Sequence, residues 1–302
     1  MFSVCTRLHA IGFPCEIDRA TADCIARIAA TPTRRISCAA GEYRIWRSAG
    51  GAEIWLHFPL VTAAAAAPSK GGVPVLAPAP AAPRVPPRPV PPPPRRDERK
   101  AFDAIDDLKG MTIFHRGQSD IRVKLDRSLG IAKENPLDGV CLAYLEDRTG
   151  RGRPAPLAFE HLGFAADPAA RPGLARVQIT GLAQKIWAYP TETAYLASTP
   201  SKRLIGRGAL TMVEPEEVAD AGLIYTTKPA TLWLVTGVVR RSIRLTNPLT
   251  GTSYVWLLLA TDRGEIDVIA NPAVIAGDIS DGHTVQTVVS MTGRIIERIG
   301  TP

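Results

Sequence analysis

The C-terminal part of the chain, from residue 231 onward, has the clearest alternation of apolar and polar positions. Its strand candidates are residues 231–240, 254–261, 265–269 and 285–296. The sequence Asp262-Arg263-Gly264 between the second and third candidates is typical of a hairpin turn. Because several short strands separated by turns favour a closed architecture, we predict a small closed or partly open β-barrel over residues 231–302.

The first sixty residues show a different order of patterns. Residues 6–14 alternate as a short strand does, and residues 20–30 place apolar side chains at helical spacing after N-cap candidates that include Asp18. Pro32 ends that helix. Three further strand candidates follow, at residues 35–39, 42–47 and 52–58. The predicted order of residues 1–60 is therefore β-α-β-β-β.

Residues 101–230 contain further strand candidates, divided by turn-rich spans and accompanied by short helices. Thr191 is an N-cap candidate for one of these helices, which runs to about residue 197. Together the patterns predict an α+β fold in which strands dominate. It consists of a small β-α-β-β-β module, residues 1–60, and a β-rich unit, residues 101–230, which leads into the C-terminal barrel.

Residues 61–100 differ from the rest of the chain in composition, with 12 of the 27 prolines. They also carry five of the seven excess positive charges, whereas residues 101–302 have a net charge of zero. An Ala/Pro-rich sequence favours extended polyproline II, so we predict a semi-rigid linker between two folded units. The alternative is a docking peptide for a protein partner, because residues 84–90 match a basic-flanked P-x-x-P pattern.

Composition also excludes several classes of protein. No apolar run is long enough for a membrane span, and the N-terminus lacks the apolar core of a secretory signal. The five cysteines include no Cys-x-x-Cys pair, which favours buried thiols in a reducing compartment and a cytoplasmic location. There is no P-loop, no G-x-G-x-x-G after a strand, no G-x-S-x-G and no H-E-x-x-H.

Residues 1–60 resemble one half-module of the vicinal oxygen chelate fold, the glyoxalase and bleomycin-resistance superfamily. The resemblance rests on the predicted β-α-β-β-β order, with His9 on the first strand and Glu53 on the last. Members pair two such modules around a cupped site that often holds a divalent metal. The resemblance therefore implies a metal-dependent enzyme with His9 and Glu53 as ligands, and with His57 or His115 as a further ligand or base. Glu53 and His57 would share one face of their strand.

Residues 231–300 resemble a barrel of the OB type, a fold that binds single-stranded nucleic acid through aromatic side chains and a basic groove. The residues that would carry such a site are Trp233, Arg240, Arg241, Arg244, Tyr254 and Trp256. Tyr254 and Trp256 share a face by alternation, and Arg240 and Arg241 point to opposite faces if strand geometry holds. The alternative is that the aromatic side chains fill the core of the barrel.

Two functions follow from these observations. The first is a non-enzymatic binding or scaffold protein without a cofactor, whose partner is single-stranded nucleic acid or another protein; a structural component that docks through its linker is a variant of it. The alternative is the metal-dependent enzyme of vicinal-oxygen-chelate type. The zero net charge of residues 101–302 weakens the nucleic-acid version, because that affinity rests largely on phosphate neutralisation.

Overall fold

The fold is defined by a computed structural model, which describes residues 4–14, 18–60, 108–131, 135–145, 155–167, 172–198, 210–212, 232–261 and 263–299. The helices are α1 (Val4–Ala10), α2 (Arg19–Ala30) and α3 (Glu192–Leu196). The strands are β1 (Arg34–Cys38), β2 (Gly41–Arg47), β3 (Ala52–Pro59), β4 (Gly110–His115), β5 (Ile121–Gly130), β6 (Gly139–Leu145), β7 (Ala155–His161), β8 (Gly173–Tyr189), β9 (Leu210–Met212), β10 (Leu232–Thr246), β11 (Ser253–Thr261), β12 (Gly264–Ala270), β13 (Ile275–Ala276) and β14 (Thr284–Ile299). The prediction of a β-dominated α+β fold is confirmed.

The first element is a helix, so the predicted β-α-β-β-β order of residues 1–60 is wrong at its start. Helix α1 buries Leu8, and the turn that follows it buries Ile11. The chain reverses at Gly12, which has a φ of +85° and lies so close to Thr252 that a Cβ would be 2.9 Å from its carbonyl oxygen. A helical turn followed by such a reversal spaces apolar residues as a short strand does, and alternation alone does not separate the two.

Helix α2 agrees with the prediction for residues 20–30. Asp18 caps its first turn, because the side-chain Oδ1 accepts a hydrogen bond from Thr21 N at 2.8 Å. The helix ends at Ala30, two residues before Pro32. Four of its buried residues lie in the core that also contains side chains of the first sheet: Cys24, Ile25, Ile28 and Ala29. Local sequence signals were sufficient to predict this helix, because the N-cap residue, the apolar periodicity and the proline after the last turn all agree.

Strands β1 to β4 form one antiparallel sheet in that order. A hairpin joins β2 to β3, where Ser48 N donates to Ala52 O at 2.8 Å and Ala52 N donates to Ser48 Oγ at 2.9 Å. Strand β4 then pairs with β3, with Gly110 opposite His57. The predicted linker, residues 61–100, lies outside the described residues. The strands that flank it are nevertheless neighbours in one sheet, so the chain before and after it is joined by strand pairing.

The ten strands from β5 to β14 form a second sheet that closes on itself twice. The first ring runs β8-β5-β6-β7-β14 and back to β8. The second ring runs β8-β12-β11-β10-β14 and back to β8. Both rings share the antiparallel β8–β14 ladder, which extends from Tyr189 opposite Thr284 to Leu174 opposite Ile299. The two rings are therefore stacked along one long pair of strands.

The two rings are built from the same order of elements, here called a repeat. Each repeat has three antiparallel strands, a short 3₁₀ turn and one long strand: β5 to β8 in the first repeat, and β10, β11, β12 and β14 in the second. In each repeat the third strand runs parallel to the long strand of the other repeat. Thr180-Gly181 and Thr292-Gly293 are equivalent, and the two threonines lie directly opposite each other in the ladder. An approximate twofold axis therefore passes between them.

The equivalent threonines attach the first sheet to the rings. Thr180 Oγ1 donates a hydrogen bond to His115 O at 2.9 Å, and Thr292 Oγ1 donates to Ile113 O at 3.0 Å. Both carbonyls belong to β4, and both threonine side chains are buried. Strand β4 therefore lies across the twofold axis and is held on both sides of it.

The strands of residues 231–302 do not close a barrel by themselves. Their ring is completed by β8, which pairs in parallel with β12 through Asp267 opposite Thr180 and Ile269 opposite Leu182. Strand β8 precedes residue 231, so the ring includes one long strand that lies outside the predicted barrel of residues 231–302. Local alternation carries no information about this pairing, because it joins segments that are distant in sequence.

One apolar core runs through both rings, and a second core joins the rings to the N-terminal region. Val177 on β8 and Met291 on β14 are fully buried in the first core. The outer face of β11 and β12, including Tyr254 and Trp256, lies in the second core with residues of α1 and β3. The N-terminal elements therefore cover one face of the second ring, and apolar burial of this kind is the main source of stability.

Asp267 on β12 is a fully buried carboxylate that fixes the segment after β4. Its Oδ1 accepts from Gln118 N at 2.9 Å and from Trp256 Nε1 at 3.0 Å. Its Oδ2 accepts from Ser119 N at 2.9 Å and from Gln178 Nε2 at 3.3 Å. A buried carboxylate is tolerated when donors surround it, and here four N–H groups replace water.

We expect Asp267→Asn to lower the free energy of unfolding by about 2–4 kcal/mol, because an amide presents an NH₂ group to donors that need an acceptor. Urea denaturation measures the change. The matched control is Glu297→Gln, an exposed carboxylate that pairs with Arg176 and should contribute less than about 1 kcal/mol. Equal losses in the two variants would contradict the role assigned to Asp267.

Candidate functional site

A cleft of about 430 Å³ opens where the first sheet meets the first ring. The residues that line it come from the end of β2 and its hairpin turn, from the segment after β4, and from β14: Arg47, Ser48, Ala49, Gly51, Arg116, Gly117 and Arg294. Three of these seven residues are arginines. The cleft brings them together from three separate parts of the chain, and this convergence marks it as the candidate site.

Glu53 anchors the arginines from the adjacent strand β3. Its side chain is fully buried, and its Oε1 lies 2.7 Å from Arg47 Nε and 3.9 Å from Arg116 Nε. The other oxygen, Oε2, accepts a hydrogen bond from Trp55 Nε1 at 2.8 Å. The carboxylate therefore has a donor on each oxygen, and it fixes Arg47 in a charge-assisted hydrogen bond.

Arg294 reaches the cleft from β14, one residue after the glycine beside the twofold axis. Its guanidinium lies over the ring of Phe114, with 5.5 Å between Cζ and the ring centroid. Burial lowers the pKa of Arg294, and the positive charges of Arg116 and Arg47 act in the same direction. Glu53 and Asp267 oppose this shift. The third arginine is therefore held in a place where its positive charge is disfavoured.

The electrostatics of the cleft favour an anion. Three guanidinium groups line it, whereas the two nearby carboxylates, Glu53 and Asp267, are fully buried behind the lining. Guanidinium groups bind carboxylates and phosphates through two parallel N–H donors, and they remain charged at any physiological pH. The contacts of Arg47 and Arg116 with Glu53 use Nε, so their terminal nitrogens can serve a ligand. The arrangement can therefore bind and orient an oxyanion.

His115 lies beneath the turn that lines the cleft. Its Nε2 donates to Gly50 O at 2.9 Å, and its ring stacks on Trp256 with 6.1 Å between centroids. A Cβ on Gly51 would be 3.2 Å from the imidazole, so glycine is required for this close approach. Burial lowers the pKa of His115, although Asp267 and Glu53 oppose the shift. The neutral ring supports the turn without adding charge to the cleft.

The residues predicted as metal ligands are not brought together. His9 lies in helix α1 rather than on a strand, and its Nδ1 donates to Phe13 O at 3.0 Å. Glu53 and His57 do share one face of β3, as predicted, but His57 Nδ1 lies 2.5 Å from Asp138 Oδ1. Within the described segments, no group of three His, Cys, Asp or Glu side chains is placed to hold a metal ion. These residues therefore form no such group among the described segments, and a metal-dependent activity stays a prediction.

The aromatic residues predicted to stack on bases are buried. Trp233 lies in the core of the rings, where its Nε1 donates to Ala158 O at 2.9 Å. Tyr254 and Trp256 share a face, as alternation predicts, but that face is covered by the N-terminal elements. Burial also raises the pKa of Tyr254 to about 12. These three side chains fill cores, so the alternative interpretation of the barrel holds for them.

The predicted basic residues of the barrel lie on its surface. Arg240, Arg241 and Arg244 are exposed on β10. The pairing of β10 with β11 is irregular between Val239 and Arg241, so side chains do not alternate regularly there. The prediction that Arg240 and Arg241 point to opposite faces assumed a regular strand and therefore does not apply. These arginines are outside the cleft, and the aromatic residues that were to accompany them are buried.

Sequence reasoning identified Glu53 but assigned it to a metal, and it did not identify Arg47, Arg116 or Arg294. The three arginines come from separate segments of the chain, so no local motif identifies them as a group. Comparison with family models, with curated proteins and with solved structures gave no match for this chain. None of the helices in the described ranges has the length and apolar character needed to cross a membrane.

We expect the free energy of unfolding to fall as the pH drops below about 6.5, where the unfolded state begins to bind protons that His115 and His161 exclude. Burial lowers the pKa of both imidazoles in the folded state, so stability is present above this pH and declines below it. Urea titrations between about pH 7.5 and pH 5 measure the slope. His115→Gln should reduce that slope, and an unchanged slope would contradict the assignment.

Proposed function

We propose that this chain is a non-enzymatic binding protein and that the cleft between the first sheet and the first ring is its ligand site. The observation that carries the proposal is the convergence of Arg47, Arg116 and Arg294 at the cleft, with the carboxylate of Glu53 beside Arg47 and Arg116. The ligand supplies an oxyanion, either carboxylate or phosphate, because this chemistry matches guanidinium donors.

The composition of the cleft supports binding rather than catalysis. Its lining offers cations, one hydroxyl and small residues. The hydroxyl of Ser48 already accepts a hydrogen bond from Ala52 N, and both oxygens of Glu53 have donors. A general base must lie within hydrogen-bond reach of the proton that it removes, and Glu53 is fully buried and is not among the residues that line the cleft.

Base stacking is not part of the proposal, because Trp233, Tyr254 and Trp256 are buried. Docking of a protein partner through residues 61–100 stays a prediction, since that segment lies outside the described residues. The cytoplasm remains the proposed location. It is supported by three unpaired thiols, those of Cys24, Cys38 and Cys141, which fit a reducing compartment.

We expect sulfate and orthophosphate to bind the intact chain saturably, as measured by isothermal titration calorimetry at constant ionic strength. Arg116→Gln should weaken both at least about tenfold, because one hydrogen bond to a charged group contributes about 1.5–3 kcal/mol. The side chain of Arg116 is 45% exposed, and its Nε lies 3.9 Å from Glu53 Oε1, which is too far for a hydrogen bond. Its replacement should therefore leave the fold intact.

The matched control is Arg241→Gln, which removes the same charge from an exposed position outside the cleft. Affinity in this variant should equal that of the unaltered chain. Equal weakening in the two variants would mean that anions respond to overall charge rather than to the cleft. Absence of saturable binding in the unaltered chain would overturn the proposed site.

A further inference from the structure

We infer that the cleft selects a phosphate monoester in its dianionic form over carboxylates and phosphodiesters; this inference rests on the proposed function. The reason is the charge of the lining. Arg47, Arg116 and Arg294 line the cleft with three positive charges, whereas the carboxylates of Glu53 and Asp267 are buried behind them and are not among the lining residues. A doubly charged ligand therefore offsets more of the positive charge at the lining than a carboxylate or a phosphodiester does.

The positive charge that a singly charged ligand leaves at the lining matters because part of the cleft is shielded from water. Arg294 is half-buried, and its pKa is lowered by burial and by its two arginine neighbours. Repulsion between such groups is stronger in a region of low dielectric constant than in water. A second negative charge on the ligand relieves this repulsion. The affinity for a dianion should therefore exceed that for a monoanion by more here than at an exposed pair of arginines.

The shape of the site also suits a tetrahedral group. The arginines approach from three elements: Arg47 from the end of β2, Arg116 from the segment after β4, and Arg294 from β14. A phosphate monoester has three terminal oxygens that can each meet a donor, whereas a carboxylate has two. The volume of about 430 Å³ lies within the range of about 300–1,000 Å³ that is usual for small-molecule sites. The cleft therefore has room for the organic part of the ester.

The charged groups around the cleft are arginines and two buried carboxylates. Guanidinium groups keep their charge at any physiological pH, and the carboxylate of Glu53 accepts hydrogen bonds from Arg47 and Trp55. Asp267 on β12 is surrounded by four N–H donors. His115, on β4, has a lowered pKa, and any protonation at low pH would add positive charge and strengthen anion binding. A loss of affinity at low pH must then come from the ligand.

The first experiment compares ligands on the intact chain by calorimetry near pH 8 at constant ionic strength. The probes are orthophosphate, sulfate, glycerol 1-phosphate, dimethyl phosphate and acetate. We expect glycerol 1-phosphate, orthophosphate and sulfate to bind at least about tenfold more tightly than dimethyl phosphate and acetate. Arg116→Gln should reduce this difference, and the control Arg241→Gln should preserve it.

The second experiment repeats the titrations near pH 5. The dianion of a phosphate monoester takes up one proton near pH 6 and becomes a monoanion, so its affinity should fall about tenfold or more, whereas sulfate remains a dianion and should bind at least as tightly as before. A parallel loss of sulfate affinity would show that the protein titrates, and it would overturn the inference about the charge of the ligand.

The outcomes separate this inference from the proposed function. If dimethyl phosphate and acetate bind as tightly as glycerol 1-phosphate, and Arg116→Gln weakens all of them, the anion site stands and the selectivity for dianions is wrong. If orthophosphate binds but glycerol 1-phosphate does not, the cleft binds the free ion, and the inference that its ligand is a phosphate monoester is wrong. If no anion binds, the proposed site fails as well.

Discussion

The antiparallel ladder between β8 and β14 is the interaction on which the rest of the structure depends. It supplies the shared wall of both rings, and the core side chains of both repeats project from it. Strands β7 and β12 each join it by only a short parallel pairing, so neither ring can close without it. The hydrogen bonds of a ladder contribute modestly one by one, but this ladder sets the position of everything that packs on it.

The β8–β14 ladder positions the residues of the candidate site. The threonines at the twofold axis hold β4 through its carbonyl groups, and β4 carries Phe114 and leads into Arg116. Arg294 follows the axis glycine on β14 and meets Phe114 directly. Glu53, on the neighbouring strand, completes the set. Side chains from three distant segments therefore meet because a single pair of strands positions all of them.

How much of this could be predicted depends on whether the cause is local. Helix α2 and the hairpin after β2 were predictable, because caps, periodicity and turn residues lie within a few positions of one another. The closure of the rings was not, since it rests on pairings between distant strands. Burial of Tyr254 and Trp256 depends on what covers them, and the arginines of the cleft form no motif. Glu53 was found, but its partners were not.

The exchange of long strands between the repeats has a consequence for chain architecture. A polypeptide with one repeat would have a third strand whose parallel neighbour is missing, and its ring would stay open. Two copies could satisfy each other only by pairing their long strands around a twofold axis, which is how symmetric homodimers are built. The ring region therefore has the architecture of a strand-exchanged dimer within one polypeptide. The β4 strand, which lies across the axis, breaks the symmetry.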